Sequence, residues 1–539
     1  MSEMQTAPQQ VDAVVVGAGF AGLYQLHRLL KQGLNVRSFE AGNGVGGTWY
    51  WNRYPGARVD SQSHLYQYWF SDELLAEWNW GERFPAQPET ERYLNHVCDR
   101  FGLREHITFG TRVTSADFDN ASERWLVTTD KGERLSAQFL VMNTGGLSVP
   151  LPPPFKGHET FKGVTCHTSH WPSEGIDLDG KRVAVVGTGA TGIQVIQTIA
   201  DRVGEMTVFQ RTANYTIPMR NPKLTDADRA TMRAGYPAMK GHVQKTFAGF
   251  DFDFDPRPFA ELPAEERQRV MEEGWADGSL KFWMGTFGDV FFDAGVAEIF
   301  SDFVRDRIRA RINDPKVADK LVPKGHSFGT RRVPLETGYY EAFNRSNVHL
   351  VDVNEDAILH VDATGIQTAS GHHDFDVIIY ATGFDAGTGA LTSIDVRGRA
   401  GVTIRDAWAS GIRTTMGLQV HGYPNLFMTM GPYSPAAAFC NVPTCLDQQV
   451  DWISDAIAHV RAKGARALEP MAETEAKWLE HNDEVAKITL VAQTNHSWYT
   501  GANVAGKERR LLAYAGGVGP YRELCDDVRA RGFAGFALT

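Results

Sequence analysis

The feature that most restricts how this chain can fold is a glycine turn that occurs twice. VVVGAGFAG (residues 14–22) leads from an apolar run of strand length, through Gly17, Gly19 and Gly22, into an amphipathic helix; a second strand then ends at Phe39. KRVAVVGTGATGIQ (181–194) repeats the plan with Gly187, Gly189 and Gly192, and its following strand ends in VFQRTA (208–213). Such glycines permit a tight turn, close approach of backbone to a pyrophosphate and close packing of helix on strand, with the helix N-terminus facing the phosphates. One G-x-G-x-x-G alone is weak evidence, but here strand, turn, helix and second strand are all in place, twice. The expected fold is α/β, with two Rossmann-like dinucleotide-binding domains.

The two turns carry opposite charge where a nucleotide ribose would sit. Glu40 closes the strand after the first, and a carboxylate there accepts hydrogen bonds from a ribose diol and repels a 2′-phosphate. That reading leaves NAD and the adenosine half of FAD both open. Arg211 holds the equivalent edge of the second site, where a guanidinium pairs with a 2′-phosphate and selects NADP. Thr212 can add a hydroxyl contact, and Thr188, Ala190, Thr191 and Gln194 complete the second turn and its helix start as cofactor contacts. GVGGTWYWNRYPGARVD (44–60) follows the first site; its small residues let backbone approach a flat ring, and Trp49 can stack on one. These features assign FAD to the first site and NADPH to the second.

The length of 539 residues implies more than one domain. PLPPP (150–154) continues neither helix nor sheet and reads as a linker, while residues 221–330 are charged and helix-prone, a helical insertion. The expected division is 1–149 with 386–539 for FAD, 150–220 with 331–385 for NADP, and 221–330 as the insertion, with a helix over Asp447–Lys463. A net charge of −11 without a basic cluster argues against a nucleic-acid partner. The polar start and the lack of a long apolar run argue against export or a membrane span, and no required protein partner is evident. Cys98, Cys166, Cys440, Cys445 and Cys525 are scattered without a CxxC pair, so reduced, buried thiols in a cytoplasmic protein and no metal site are expected.

FKGVTCHTSHWP (161–172) is aromatic and histidine-rich for a loop, with no metal-ligand spacing. Phe161, Gly163, His167, Trp171 and Pro172 fit the F-x-G-x-x-x-H-x-x-x-W-P fingerprint of the flavin-dependent Baeyer–Villiger monooxygenases, and Gly47, Trp49, Tyr54, Pro55, Gly56 and Asp60 fit a second fingerprint of that family. ATGFD (381–385) and SWYTGANVAGK (497–507) also look like its segments. The chain resembles this family over nearly its whole length, most closely the phenylacetone, steroid and cyclohexanone group.

The resemblance implies an FAD- and NADPH-dependent enzyme that uses O2, through a flavin peroxide, to insert one oxygen beside a ketone carbonyl, giving an ester or lactone. The alternative is an N- or S-oxygenating flavin-containing monooxygenase, which usually lacks the tryptophan of the fingerprint. By motif, Arg332 of FGTRRV matches the family's catalytic arginine and Asp60 the carboxylate that positions it. Alone, the Arg331–Arg332 pair would read as a solvated surface pair; within this motif set it does not. The resemblance places Arg331 at the 2′-phosphate, where relatives more often have lysine, and Trp498 near the nicotinamide ribose. It adds Thr48, Arg58, Val59, Tyr66 and Val113 as cofactor contacts. His167 is expected to tie the loop to neighbouring backbone without moving a proton. GPYSPAAAFCNVP (431–443) departs most from the family, and Tyr433, Phe439 and its three alanines can shape a ketone site or simply pack.

Overall fold

The structure, a computed structural model, describes residues 8–436, 439–494 and 497–539. Two sheets organise it. The first follows the order Asp395–Arg397, Val113–Asp119, Arg124–Thr129, Arg134–Met142, Gln9–Val16, Val36–Phe39, Ile107–Thr108. Gln9–Val16 pairs in parallel with Val36–Phe39 on one side and Arg134–Met142 on the other, and the latter also takes Leu426–Met428 in parallel. The second sheet is wholly parallel: Val348–Asp352, Glu205–Gln210, Arg182–Val186, Val377–Tyr380, Val164–His167.

In both sheets the strand entering the glycine turn lies between neighbours reached in opposite directions. This is the point at which an open α/β sheet leaves a crevice beyond its strand ends. The runs AVVV and VAVV carry no alternation because both faces are covered; Ala13 to Val15 and Val183 to Val185 are all fully buried.

Residues 221–330 are helical, with Asp226–Val243, Ala264–Asp277, Ala294–Arg309 and Pro315–Leu321 as the main helices. Asp314 caps the last of these by accepting from Lys316 N, and Pro315 follows at the first helical position, where its missing N–H costs nothing. The expected helix over Asp447–Lys463 runs instead over Val442–Ala462, because Pro443 sits in its first turn, where proline starts a helix well. This helix packs against Phe20–Lys31, with Tyr24 and Arg28 bonded to Asp451 at 2.7 Å each.

Two expectations fail. FKGVTCHTSHWP is not a loop: Val164–His167 forms the edge strand of the second sheet, because backbone groups of Val377–Tyr380 would otherwise lack partners on that side. The cysteines are not all free thiols: Cys440 and Cys445 form a disulfide, while Cys98, Cys166 and Cys525 are free and buried. Cys440 precedes the helix start at Val442 and Cys445 lies in its first turn, so the chain's reversal brings the two together, which no CxxC spacing announces.

Candidate active site

At the first turn Gly17 has φ +102°, and a Cβ there would lie 2.5 Å from the Asn143 carbonyl oxygen. A Cβ on Gly22 would come within 1.9 Å of the Gly17 carbonyl oxygen, so the helix could not sit this close to the strand with any side chain. Gly19 faces Gly47, whose Cβ would lie 2.9 Å from the Gly19 Cα. Helix Phe20–Lys31 begins on Gly19 with no side-chain cap and no acidic residue in its first turn, as an anion site requires. Glu40 is 6% exposed; its Oε2 accepts from Ala18 N at 2.8 Å and its Oε1 from Gly42 N at 2.7 Å. Burial raises its pKa against the opposing effect of these backbone donors. Val113 is buried at the start of the strand beyond, and Thr48 opens the short helix Thr48–Trp51.

The second turn repeats this geometry. Gly187 has φ +110° with a Cβ position 2.5 Å from the Ala381 carbonyl oxygen, and a Gly192 Cβ would lie 2.1 Å from the Gly187 oxygen. Gly189 faces open space, and helix Ala190–Ile199 starts on it without a side-chain cap or an acidic first turn. Thr188 donates to the Thr212 carbonyl at 3.1 Å, tying the turn to the next strand end. Arg211 is exposed just past strand Glu205–Gln210. It faces Arg331, whose Nε is buried without a hydrogen-bond partner among the described residues. Burial first, then Arg211, hold the Arg331 pKa below its usual value. Two guanidiniums held together against their repulsion, one with an unused donor, fit a doubly charged phosphate ester.

The residues 54–60 join the two turns. Tyr54 Oη donates to Gln194 Oε1 at 2.8 Å, Gln194 Nε2 donates to the Arg58 carbonyl at 3.0 Å, and burial pushes the Tyr54 pKa up to about 12. Gly56, at φ +83°, presses so closely on helix Ala190–Ile199 that a Cβ would lie 2.2 Å from Thr198 Oγ1. The Arg58 guanidinium turns aside to Glu82 and the Phe84 carbonyl, and Val59 N donates to the Pro85 carbonyl at 3.0 Å. Arg58 thus spends its guanidinium on residues 82 and 84 and its carbonyl on Gln194.

The same segment delivers Asp60 to Arg332. Arg332 Nε and Nη2 donate to Asp60 Oδ2 at 3.2 and 2.5 Å, with side chains only 18% and 27% exposed. The guanidinium lies over the Trp283 ring at 5.8 Å, and Tyr499 is near enough to act on its charge. Burial opposes its charge, but Asp60 and Tyr499 outweigh burial and the pKa is raised. Tyr66 lies beside the pair; its hydroxyl accepts from Trp49 Nε1 at 3.1 Å, the rings meeting edge to face at 5.8 Å. Trp283, from the insertion, and Tyr499 are the members of this cluster that sequence reasoning passed over; Tyr499 lies inside SWYTG, one residue from Trp498, and no motif marks Trp283.

SWYTGANVAGK docks on ATGFD. Lys507 Nζ donates to Asp385 Oδ1 at 2.7 Å and to the Ala386 carbonyl at 2.6 Å, and Asn503 Nδ2 donates to the Phe384 carbonyl at 2.7 Å. Half-buried Trp498 packs on Tyr499 with ring centroids 4.4 Å apart. Phe439 reaches this cluster, 5.4 Å from Tyr499, whereas Tyr433 is fully buried with its hydroxyl on the Ile412 carbonyl at 3.1 Å and is a packing residue. Ala437 and Ala438 lie outside the described residues.

Phe161 and Trp171 are buried in two different apolar clusters, so the fingerprint strand pins both faces of the second sheet's edge. His167, the last residue of the strand, caps the turn that follows: its Nδ1 bonds Ser169 Oγ at 2.8 Å and accepts from Ser169 N at 3.2 Å. Burial, then His170, push its pKa down to about 4, so it is neutral near pH 7.

Comparison with known proteins gives consistent results. Residues 10–221 match the flavin-binding monooxygenase-like family. The chain is 50% identical over 530 residues to the acetone monooxygenase (methyl acetate-forming) of Gordonia sp. strain TY-5, covering 98% of this chain and 99% of that protein. It is 40% identical over 532 residues to a Baeyer–Villiger monooxygenase of Pseudooceanicola batsensis, covering 98% and 96%. Among solved structures, that of OTEMO in complex with FAD and NADP superposes with a TM-score of 0.95 at 41% identity, covering 99% of this chain and 100% of that one.

Proposed function

The chain belongs to the flavin-dependent Baeyer–Villiger monooxygenases, and from that premise we propose how its own residues divide the work. The enzyme uses FAD, NADPH and O2 to insert one oxygen atom beside a ketone carbonyl, producing an ester or lactone. With both cofactors bound, the chemistry supplied to the site is reductive activation of dioxygen.

The observation that carries the residue assignment is the Arg332–Asp60 pair, half-buried where residues 54–60 join the two glycine turns. Arg332 is the cation that stabilises negative charge as it develops during attack on the carbonyl and in the tetrahedral adduct. Its charge is secure because burial is outweighed by Asp60 and Tyr499. Asp60 orients it, and Trp283 covers one face of the guanidinium and keeps water from it.

FAD is held by Gly17, Gly19 and Gly22 with the uncapped helix behind them, by Glu40, and by Gly47, Thr48, Trp49, Arg58, Val59, Tyr66 and Val113. NADPH is held by Thr188, Gly189, Ala190, Thr191, Gly192 and Gln194, with Arg211, Thr212 and Arg331 at the 2′-phosphate end and Trp498 at the nicotinamide end. Phe439 borders the ketone. Residues 1–149 with 386–539 make the FAD domain and 150–220 with 331–385 the NADP domain. The enzyme works in the cytoplasm without a protein partner; among the described residues no helix is long and apolar enough to cross a membrane.

The test is Arg332→Ala holoenzyme given NADPH, O2 and a panel of cyclic, linear and aryl ketones, with an amine and a sulfide alongside. Ester formation falls by about 100- to 1,000-fold while NADPH oxidation continues. Ester formation at the parent rate would remove Arg332 from the mechanism.

A further inference from the structure

We propose that Tyr54 and Gln194 are positioning residues for the Asp60–Arg332 pair: together they fasten the segment that carries Asp60 to the helix after the second glycine turn. The inference rests on the assignment of Arg332 and Asp60 above. Residues 52–60 form no helix and, apart from one bridge between Arg58 and Ala86, no strand. Such a segment keeps its course only through bonds to its neighbours. On one side these are residues 85–87: Val59 N donates to the Pro85 carbonyl at 3.0 Å, and Gln87 N to the Ala57 carbonyl at 2.9 Å. On the other side it is Gln194, 8% exposed. Its Nε2 donates to the Arg58 carbonyl at 3.0 Å, and its Oε1 accepts from Tyr54 Oη at 2.8 Å.

The directions of these bonds are forced. A carbonyl only accepts, so the amide nitrogen faces Arg58 and the amide oxygen faces the phenol, which donates. One side chain thereby grips the segment at residues 54 and 58. Gly56, between them, is pressed onto the same helix: a Cβ there would lie 2.2 Å from Thr198 Oγ1 and 2.5 Å from the Gln194 carbonyl oxygen. Asp60 follows two residues after Arg58. The other partner of the pair is tied to the same part of the fold. Gln197 Oε1, on that helix, accepts from Thr337 N at 2.9 Å. Asn214 Nδ2, just past the strand that follows it, donates to the Arg332 carbonyl at 3.0 Å. Nε and Nη2 of Arg332 converge on one oxygen, Asp60 Oδ2, so displacing residue 60 moves the charge that Arg332 presents. The geometry of the pair is thus set from the second glycine turn, through Gln194.

The experiment compares Tyr54→Phe, Gln194→Met and the double variant with the parent holoenzyme, measuring ester, hydrogen peroxide and NADPH consumed. Phenylalanine removes only the hydroxyl, and methionine keeps the length of the side chain without its polar atoms. The expected result is a fall in kcat for ester of about threefold for Tyr54→Phe and about tenfold for Gln194→Met. A larger share of the oxidised NADPH ends as hydrogen peroxide in both. The double variant matches Gln194→Met, because the hydroxyl acts through the amide. In Tyr54→Phe, KM for NADPH and the rise in melting temperature on adding NADP stay as in the parent. Residues that only support the fold would lower the melting temperature and leave the ester-to-peroxide ratio alone, and that result overturns the inference. So do losses that multiply in the double variant, or a Gln194→Met enzyme whose KM for NADPH rises while kcat holds. If Arg332→Ala makes ester normally, the failure lies in the assignment of Arg332 instead. Should Gln194→Met not fold, Tyr54→Phe alone decides: unchanged kcat and ratio there refute the proposal.

Discussion

Arg331→Ala tests the charge proposed for the 2′-phosphate end of NADPH. Arg331 Nε is buried without a partner among the described residues, and Arg211 stands against it. A charge-assisted hydrogen bond contributes about 1.5–3 kcal/mol. At 1.36 kcal/mol per tenfold, its loss should lower kcat/KM for NADPH by roughly 10- to 150-fold. NADH lacks the 2′-phosphate, so its kcat/KM should stay where it was, and the preference for NADPH should shrink by the same factor. Removing a cation whose pKa is depressed by burial and by Arg211 should also raise the melting temperature of the NADPH-free enzyme, while the further rise on adding NADPH diminishes. The assay is steady-state oxidation of each nicotinamide with a saturating ketone, with thermal melts run with and without NADPH. Equal losses for NADPH and NADH would refute the reasoning, because the arginine would then be supporting the fold or the shared part of the cofactor.

Asp60→Ala leaves Arg332 without its counter-charge and its principal orienting contact; ester formation by gas chromatography should drop by about tenfold or more, with KM for NADPH nearly unchanged. Gly22→Ala places a methyl group 1.9 Å from the Gly17 carbonyl oxygen and should yield protein that purifies without bound flavin, read from its visible absorption. Asp447, on helix Val442–Ala462, has its pKa pushed up to about 7, by burial first and Asp451 second. The folded state then keeps a proton that the unfolded chain releases above its ordinary carboxylate pKa of 3.8, so this group's contribution to stability falls as pH rises toward 7 and levels off beyond it. Asp447→Asn should gain melting temperature over the parent across that window and hold the gain above it; a constant difference from pH 4 to pH 8 would contradict this.

Much of the site was legible because its parts are local. Glycines at fixed offsets after a strand need no distant partner to be interpreted, since the turn, the close approach and the uncapped helix start all arise within a few residues. The acidic and basic residues at Glu40 and Arg211 were readable for the same reason: each ends the strand next to its own turn. The strand at Val164–His167 was not, because a four-residue segment with histidine and cysteine has no periodicity of its own and becomes a strand only when Val377–Tyr380 offers it an unpaired edge. The start of helix Val442–Ala462 and the Cys440–Cys445 disulfide were missed because proline and asparagine there read equally well as loop.

The sequence by itself determined two dinucleotide-type folds, their order, the opposite charges of Glu40 and Arg211 at the ends of their second strands, and, through the family's fingerprints, the pairing of Asp60 with Arg332. Only the tertiary structure decided what surrounds that pair. Trp283 comes from the helical insertion and Tyr499 from the C-terminal segment, and Tyr54, Gly56 and Gln194 clamp the segment 54–60 to the helix that follows the second glycine turn. These contacts join residues far apart in the chain through shape and burial, which leave no periodic trace in a sequence. A buried guanidinium acquires its direction from whichever acceptors the packed chain brings to it.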